Sequence, residues 1–413
     1  MGRISLLGLW VAAVSLNAAS LTGAASPDSV QVFLERRVAG DPLDSIAWNR
    51  LAGIYLQKLR RTGDDCFLGL AMHAAEQSVH AVSGRLNTGG LAARSRAELA
   101  LHQFAAARAT ALELQKLEPH RSTASQLLGD AALELGDYEE AEKAYAEMLR
   151  IDGEPSVGSE SRMARLDLIY GRLPEAREHF GRALVLAKVS FEPSPDTTSW
   201  CHVQLGELAF KQGDFRTAEA QYAEALEVLP EGYPAQEHLA ELRGAQGRYA
   251  EAEAAYQKLI ERVPRPELLQ ALGDLYIYEG KPAEAKSWHD RAAAAYEASV
   301  EQGSIQYYHH GAGFYADSVK DPAKALQWAR KDLEIRHSIF AWDALAWACA
   351  ENNQFQEAAE AMAKALATGV KDPHILYHAS MIRMGSGDLA GGKLALEQTV
   401  AINPRYNTFH VHR

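Results

Sequence analysis

The stretch STASQLLGDAALELGDYEEAEKAYAEMLR, residues 122–150, decides the fold. It reads as two short helical segments hinged at Leu135-Gly136-Asp137-Tyr138. The first carries Leu128-Gly129, and the second carries Ala141 followed four residues on by Tyr145. Residues four apart share a helix face, so a small and a bulky side chain point at the same neighbour. Glycine at 136 suits the left-handed residue that caps one helix and turns the chain into the next. The unit is a helical hairpin.

Working outward, the same hairpin returns along the chain. The small residue that opens each second helix falls at Ala107, Ala141, Ala176, Ala218, Ala252, Ala285, Ala325, Ala358 and Gly392. The intervals are 34, 35, 42, 34, 33, 40, 33 and 34 residues. A repeat of that length is the sequence signature of stacked helix pairs. Leu205-Gly206, Leu272-Gly273 and Leu239-Ala240 match Leu128-Gly129 in register, and Phe180, Tyr222 and Tyr256 match Tyr145. Prolines close units at Pro119, Pro230, Pro264 and Pro404, where a helix must stop.

On these residues the chain resembles the tetratricopeptide-repeat family. The resemblance implies an all-α, right-handed superhelical solenoid of antiparallel helix pairs, with first helices lining an inner groove. A degenerate opening unit (Trp48, Leu51, Ala52 and Tyr55) brings the number to ten between about residues 44 and 406. Its second helix, at Ala74, Ser78 and Ala81, lies late, which predicts a longer hairpin through Thr62-Gly63-Asp64-Asp65. The organisation expected is a signal peptide over 1–25, a lead segment over 26–43 and an N-terminal array over 44–190. A proline-broken connector follows over 191–198, then a C-terminal array over 199–406 and a tail over 407–413. The 40-residue interval predicts a long helix through Asp290–Glu301, and an extra residue before Pro322 predicts an irregular turn.

Composition agrees with helix and narrows function. Of 413 residues, 47% are apolar and 23% charged, which suits a packed chain. Net charge is −12 with no basic stripe, so nucleic acid is not an expected partner. Arg3 precedes an apolar run from Ile4 to Leu16, and small residues follow through Ala25. That pattern predicts export, with cleavage after Ala25 or Ala19, or else retention as an uncleaved anchor. After cleavage no integral membrane span is expected. Cys66, Cys201 and Cys349 form no paired spacing and read as buried small side chains.

The groove position just after each Leu-Gly pair reads Asp130, Glu207, Glu241 and Asp274, joined by Glu134 and Glu237. Either these acids are a solvated helix face, or they form a rail that selects a basic partner segment. Toward the C-terminus the corresponding face carries His309, Trp347, Tyr377 and Met381, with Met384 beside them. Aromatic anchors of this kind supply binding energy when they line a groove. No Lys or Arg accompanies the inner acids except Arg162 and Arg165, so capture of an acidic chain end is disfavoured.

Catalysis finds no motif. Nucleophile elbow, phosphate loop, dinucleotide fingerprint and metalloprotease helix are all absent. His374 and His378 share a helix face, and His410 and His412 follow in the tail. Zinc asks for three or four ligands, a carboxylate or thiolate among them, and the pair shows none. The expectation is a non-enzymatic scaffold without cofactor or metal that holds a protein or peptide. Self-assembly is the first rival, and a metal-dependent activity at the C-terminal histidines is the second.

Overall fold

A computed structural model describes residues 27–410, so the expected signal segment and Val411–Arg413 lie outside the described residues. Every regular element among the described residues is helical. A lead helix, α1 (Pro27–Gly40), sets Leu34 and Val38 against the first hairpin. Ten helix pairs follow. They are α2 (Ser45–Thr62) with α3 (Cys66–Ala81), α4 (Thr88–Ala100) with α5 (Phe104–Leu117), and α6 (Ser122–Leu135) with α7 (Tyr138–Asp152). Next come α8 (Val157–Ile169) with α9 (Leu173–Val189), α10 (Pro195–Lys211) with α11 (Phe215–Val228), and α12 (Tyr233–Ala245) with α13 (Tyr249–Arg262). The array continues with α14 (Pro266–Tyr278) and α15 (Pro282–Glu301), then α16 (Tyr308–Gly313) and α17 (Pro322–Ile335). It ends with α18 (Ile339–Glu351) and α19 (Phe355–Ala365), and α20 (Pro373–Gly385) and α21 (Leu389–Ile402). The architecture is a right-handed superhelical solenoid of antiparallel helix pairs.

The hairpins nest because the residue after the leucine that recurs in register lacks bulk. A Cβ built on Gly129 would stand 2.3 Å from the Tyr145 ring, and one on Gly206 would stand 2.4 Å from Tyr222. Tyr145, Tyr222, Tyr256 and Tyr296 are wholly buried in the seam. Each hairpin turn holds one residue at positive φ: Gly63, His102, Gly136, Gly171, Gly213, Gly247, Gly280, Lys320, Asn353 and Gly387. Glycine fills seven of the ten because a Cβ strains that conformation.

The departures from the regular interval have physical explanations. The opening unit does not have a long hairpin: α2 runs to Thr62 and α3 begins at Cys66, so the extra residues lengthen the first helix. The 42-residue interval likewise enters helices, since α9 and α10 are 17 residues each, and Pro195 starts α10 from an Ser194 cap. Of the two prolines in the expected connector, Pro193 lies in the short non-helical segment 190–194, while Pro195 opens α10, where its missing N–H costs nothing. α15 extends through 20 residues to Glu301. The extra residue before Pro322 is absorbed as a wider π-type turn over Phe314–Ser318, with Val319 N–H donating to the Phe314 carbonyl at 3.1 Å.

The expected trough is not open along its length, because successive superhelical turns touch. The hairpin after α6 meets the connector before α18, where His337 N–H donates to the Leu135 carbonyl at 3.1 Å. Ile339 N–H donates to the Tyr138 hydroxyl at 2.7 Å. Gly171 lies against Gly369 and Lys371, and Gly213 against Asn403 and Pro404. Hairpins of units 3, 4 and 5 therefore rest on the connectors that follow units 8, 9 and 10. At the other end Arg61 donates to both Asp196 oxygens at 2.9 and 2.7 Å, and Tyr307 bonds Asp65.

Candidate functional site

Along the axis the structure pairs the expected acids from within. Arg162 grips Asp130 at 2.9 and 2.6 Å, and the Tyr145 hydroxyl donates to the same carboxylate at 2.9 Å. Arg165 donates to Glu134 at 2.6 Å, with Arg336 3.7 Å away on the next superhelical turn. Burial works to raise the Glu134 carboxyl, but Arg165 and Arg336 outweigh it and hold it below the usual range. Glu207 accepts from Gln204 at 2.6 Å. Glu237 is 8% exposed and Glu241 0%, and Glu241 is 2.6 Å from His410. Asp274 is bonded by His289 at 2.9 Å and accepts from Ser318 at 3.1 Å. Asp130, Glu134, Glu241 and Asp274 thus bridge to other elements of the fold, Glu207 bonds within α10, and the expected rail is not a run of bare charge. The sequence pattern missed this because the partners come from the following helix, the following turn or the tail.

The same logic continues at unit 8. Arg336 donates to Asp332 at 3.0 Å, and His309, one of the expected groove residues, lies 3.2 Å from that carboxylate. Burial pushes the Asp332 carboxyl up, yet the hydrogen bond from His309 and the Arg336 charge bring it down to about 2. Burial first, then Arg336, lowers the neighbouring His102 to about 4.

Within this zone a space of about 180 Å³ lies beside Glu134, Arg165, Phe180 and Phe340, and beyond it the axis widens. A cavity of about 380 Å³ lies between α10, α20 and the tail, lined by Lys211, Asp317, Trp347, Tyr377, Tyr406 and His410 among others. Lys211 donates to Asp372 at 3.1 Å, and that carboxylate's charge raises the amine further. Asp372 also caps α20 by accepting from His374 N–H at 2.8 Å, so one residue starts the helix and charges the wall. Trp347 lies flat on the His378 ring, with centroids 4.2 Å apart and planes at 8°, and its indole N–H donates to Asp317 at 3.0 Å. Tyr377 faces Tyr406 at 5.6 Å. A smaller space of about 100 Å³ beside it is bounded by His309, Asp343, Trp347, His374 and His378.

The tail seals the floor. Phe409 is 1% exposed and meets Tyr256 and Tyr278 edge-on, in contact range of Gly244. Of the expected groove residues, Trp347 and Tyr377 reach the larger cavity and His309 the smaller, while half-buried Met381 lines neither. Lys211, Asp317, Asp372 and Tyr406 were not foreseen. Lys211 had a signal: it holds the register that Glu134 holds in unit 3, two residues before the left-handed glycine. Cys201 and Cys349 are buried and held as thiols, pushed up to about 11 and about 12 by burial, whereas Cys66 is exposed, contrary to expectation.

Fold and site together define a non-globular scaffold of helical hairpins with a partly enclosed axis. One tetratricopeptide-repeat profile matches residues 159–231 and another matches residues 92–154 and 203–266, so those stretches carry tetratricopeptide repeats. No curated protein matches it. Among solved structures it is similar to the human IFIT1 dimer with PPP-AAAA, at 13% identity and a TM-score of 0.49, over 90% of this chain and 86% of that one. It is also similar to yeast Tom70, at 13% identity and a TM-score of 0.40, over 91% of this chain and 88% of that one.

Proposed function

We propose that the protein is an exported scaffold that holds a segment of a partner protein in the cavity of its last units. One observation carries this reading: ion pairs cross the axis at units 3 and 4 and leave a space of only about 180 Å³ beside them, whereas at units 9 and 10 it widens to about 380 Å³ walled by Trp347, Tyr377 and Tyr406. A volume near 380 Å³ falls at the low end of ligand pockets and suits a few residues of a peptide. Aromatic rings supply contact area at low entropic cost, and the preformed walls spare the partner further ordering. Both signs of charge line the space, in Lys211, Lys320 and Arg405 against Asp317 and Asp372. That mixture favours a segment with an apolar anchor and polar backbone over a uniformly basic one. Export rests on Arg3 and the apolar run to Leu16, and among the described residues no helix is long and apolar enough to cross a membrane.

The test compares capture from cell-envelope extract by the wild type and by Trp347→Ala, Tyr377→Ala and the remote surface variant Lys143→Ala. The same partner protein retained by wild type and Lys143→Ala but depleted at least tenfold by both cavity variants supports the reading. Equal retention by all four removes the cavity from the function. N-terminal sequencing of the chain recovered from the envelope should start at Ser26; an intact chain confined to the cytosol sinks export.

A further inference from the structure

On α20 the imidazoles of His374 and His378 lie one turn apart, with ring centroids separated by 3.9 Å. In the sequence they form a pair without a carboxylate. The fold supplies one from the preceding unit: Asp343 of α18 sits 3.0 and 3.1 Å, through its two oxygens, from His378 Nδ1. Each of the three residues offers a ligand atom, and these atoms lie within 4.8 Å of one another. Ligands of a tetrahedral zinc ion, bound at about 2.0–2.1 Å, stand about 3.3 Å apart, so the Asp343–His378 spacing already approaches that of a shared ion.

The surroundings hold these groups in place. Asp343 is 6% and His378 3% exposed, and a buried carboxylate needs a cation or a strong donor opposite it. Trp347 clamps one face of His378 and is itself anchored on Asp317. Such outer contacts orient metal-binding imidazoles. His374 is half-buried and borders both cavities, so the cluster has a closed side toward the core and an open side toward the axis. Lys211, which lines the smaller space, is offset by Asp372.

We propose that Asp343, His374 and His378 bind one divalent transition-metal ion of the zinc class, with an oxygen donor from the cavity completing its coordination. Two imidazoles and a carboxylate suit zinc or iron(II), whereas calcium and magnesium prefer oxygen alone. Three protein ligands with one open position match sites where a metal meets a substrate or partner, since purely structural zinc closes with four. The proposal stands apart from segment capture, because the ion needs no partner protein.

The experiment is zinc titration calorimetry at pH 7.5 on tag-free, chelator-stripped full-length protein, without any partner. Wild type should bind one zinc, and X-ray absorption should show two imidazole nitrogens among its ligands. His374→Ala and Asp343→Asn should each weaken binding at least tenfold, and exposed His120→Ala should not. His374 is the least buried of the three, so its variant keeps the test valid if Asp343→Asn unfolds; circular dichroism checks both. Absence of zinc binding by the wild type overturns the proposal. So does binding that His374→Ala leaves unchanged, which would mark an adventitious surface histidine site.

Discussion

Units 3 and 4 and units 9 and 10 share one hairpin design but treat the superhelical axis in opposite ways. In the first region Asp130, Glu134, Arg162 and Arg165 face inward and consume one another's charge, and Arg336 joins from the next turn. In the second, rings stand beside the charges, and the axis widens to the cavity bounded by Trp347, Tyr377 and Tyr406. The lesson concerns partner placement. A guanidinium forked onto a carboxylate fills space and specifies register, so the axis becomes a brace. Flat rings backed by histidine stand off from Phe210 and Lys211 across the cavity, and the chain's own tail, through Phe409 and His410, closes the lower side.

The largest effect should come from removing that seal. Phe409→Ala deletes a wholly buried ring between Tyr256, Tyr278 and Gly244 and should cost about 3–5 kcal/mol, read by denaturant unfolding. The cavity should also gain access from the tail side. A loss below about 1 kcal/mol would show that the tail does not close the axis, and the two regions would then differ less than their packing indicates.

This comparison also marks what the sequence reveals. The hairpin phase was legible because it is local: Gly129 and Tyr145, or Gly206 and Tyr222, meet inside one unit and recur at a fixed stride. The axis was not, because Leu135 meeting His337 depends on a pitch accumulated from small rotations between many units. The acids therefore looked like a rail, although Asp130, Glu134 and Asp274 had partners on other elements and Glu241 had one in the tail. Asp343 carried a signal that went unread. It is the only acid between Ile339 and Ala350, a run otherwise apolar, and a carboxylate there must find a partner on burial. Phe409 offered a similar one, as an aromatic in a short polar tail.

An intermediate effect separates turn-to-turn contact from simple hairpin strain. Gly136 and Gly247 occupy equivalent turns at φ of 82° and 75°. Alanine at either pays the left-handed penalty of about 1–2 kcal/mol. At Gly136 the new Cβ would also stand 2.2 Å from the His337 carbonyl oxygen, whereas at Gly247 nothing lies within 4 Å. Gly136→Ala should therefore be the more destabilising by about 1–3 kcal/mol, and its unfolding should lose cooperativity between the two turns first. Equal losses in paired thermal melts would mean that the Leu135–His337 contact contributes nothing to holding the superhelix.

The smallest effect is conditional on pH and probes the braced region directly. His102 occupies a hairpin turn at φ 57°, beside Arg336, and is lowered to about 4 from an unfolded value of 6.5. The unfolded chain takes up this proton first, so its contribution to stability is complete above pH 6.5 and declines as pH falls toward 4. Asp332, lowered to about 2 from 3.8, behaves as a depressed carboxylate: its contribution is complete above 3.8 and is lost only as pH falls toward 2. The two windows barely overlap, which lets one group be read without the other. His102→Asn keeps a side chain that tolerates positive φ and removes the titration, giving up only the stack on Phe104 at 5.0 Å. Its melting temperature should lie within about 2 °C of wild type at pH 7.5, and the decline between pH 7 and 5 should be shallower by a few degrees. Parallel declines would place the acid sensitivity elsewhere. The brace at units 3 and 8 would then be insensitive to protonation of His102, which adds a like charge beside Arg336.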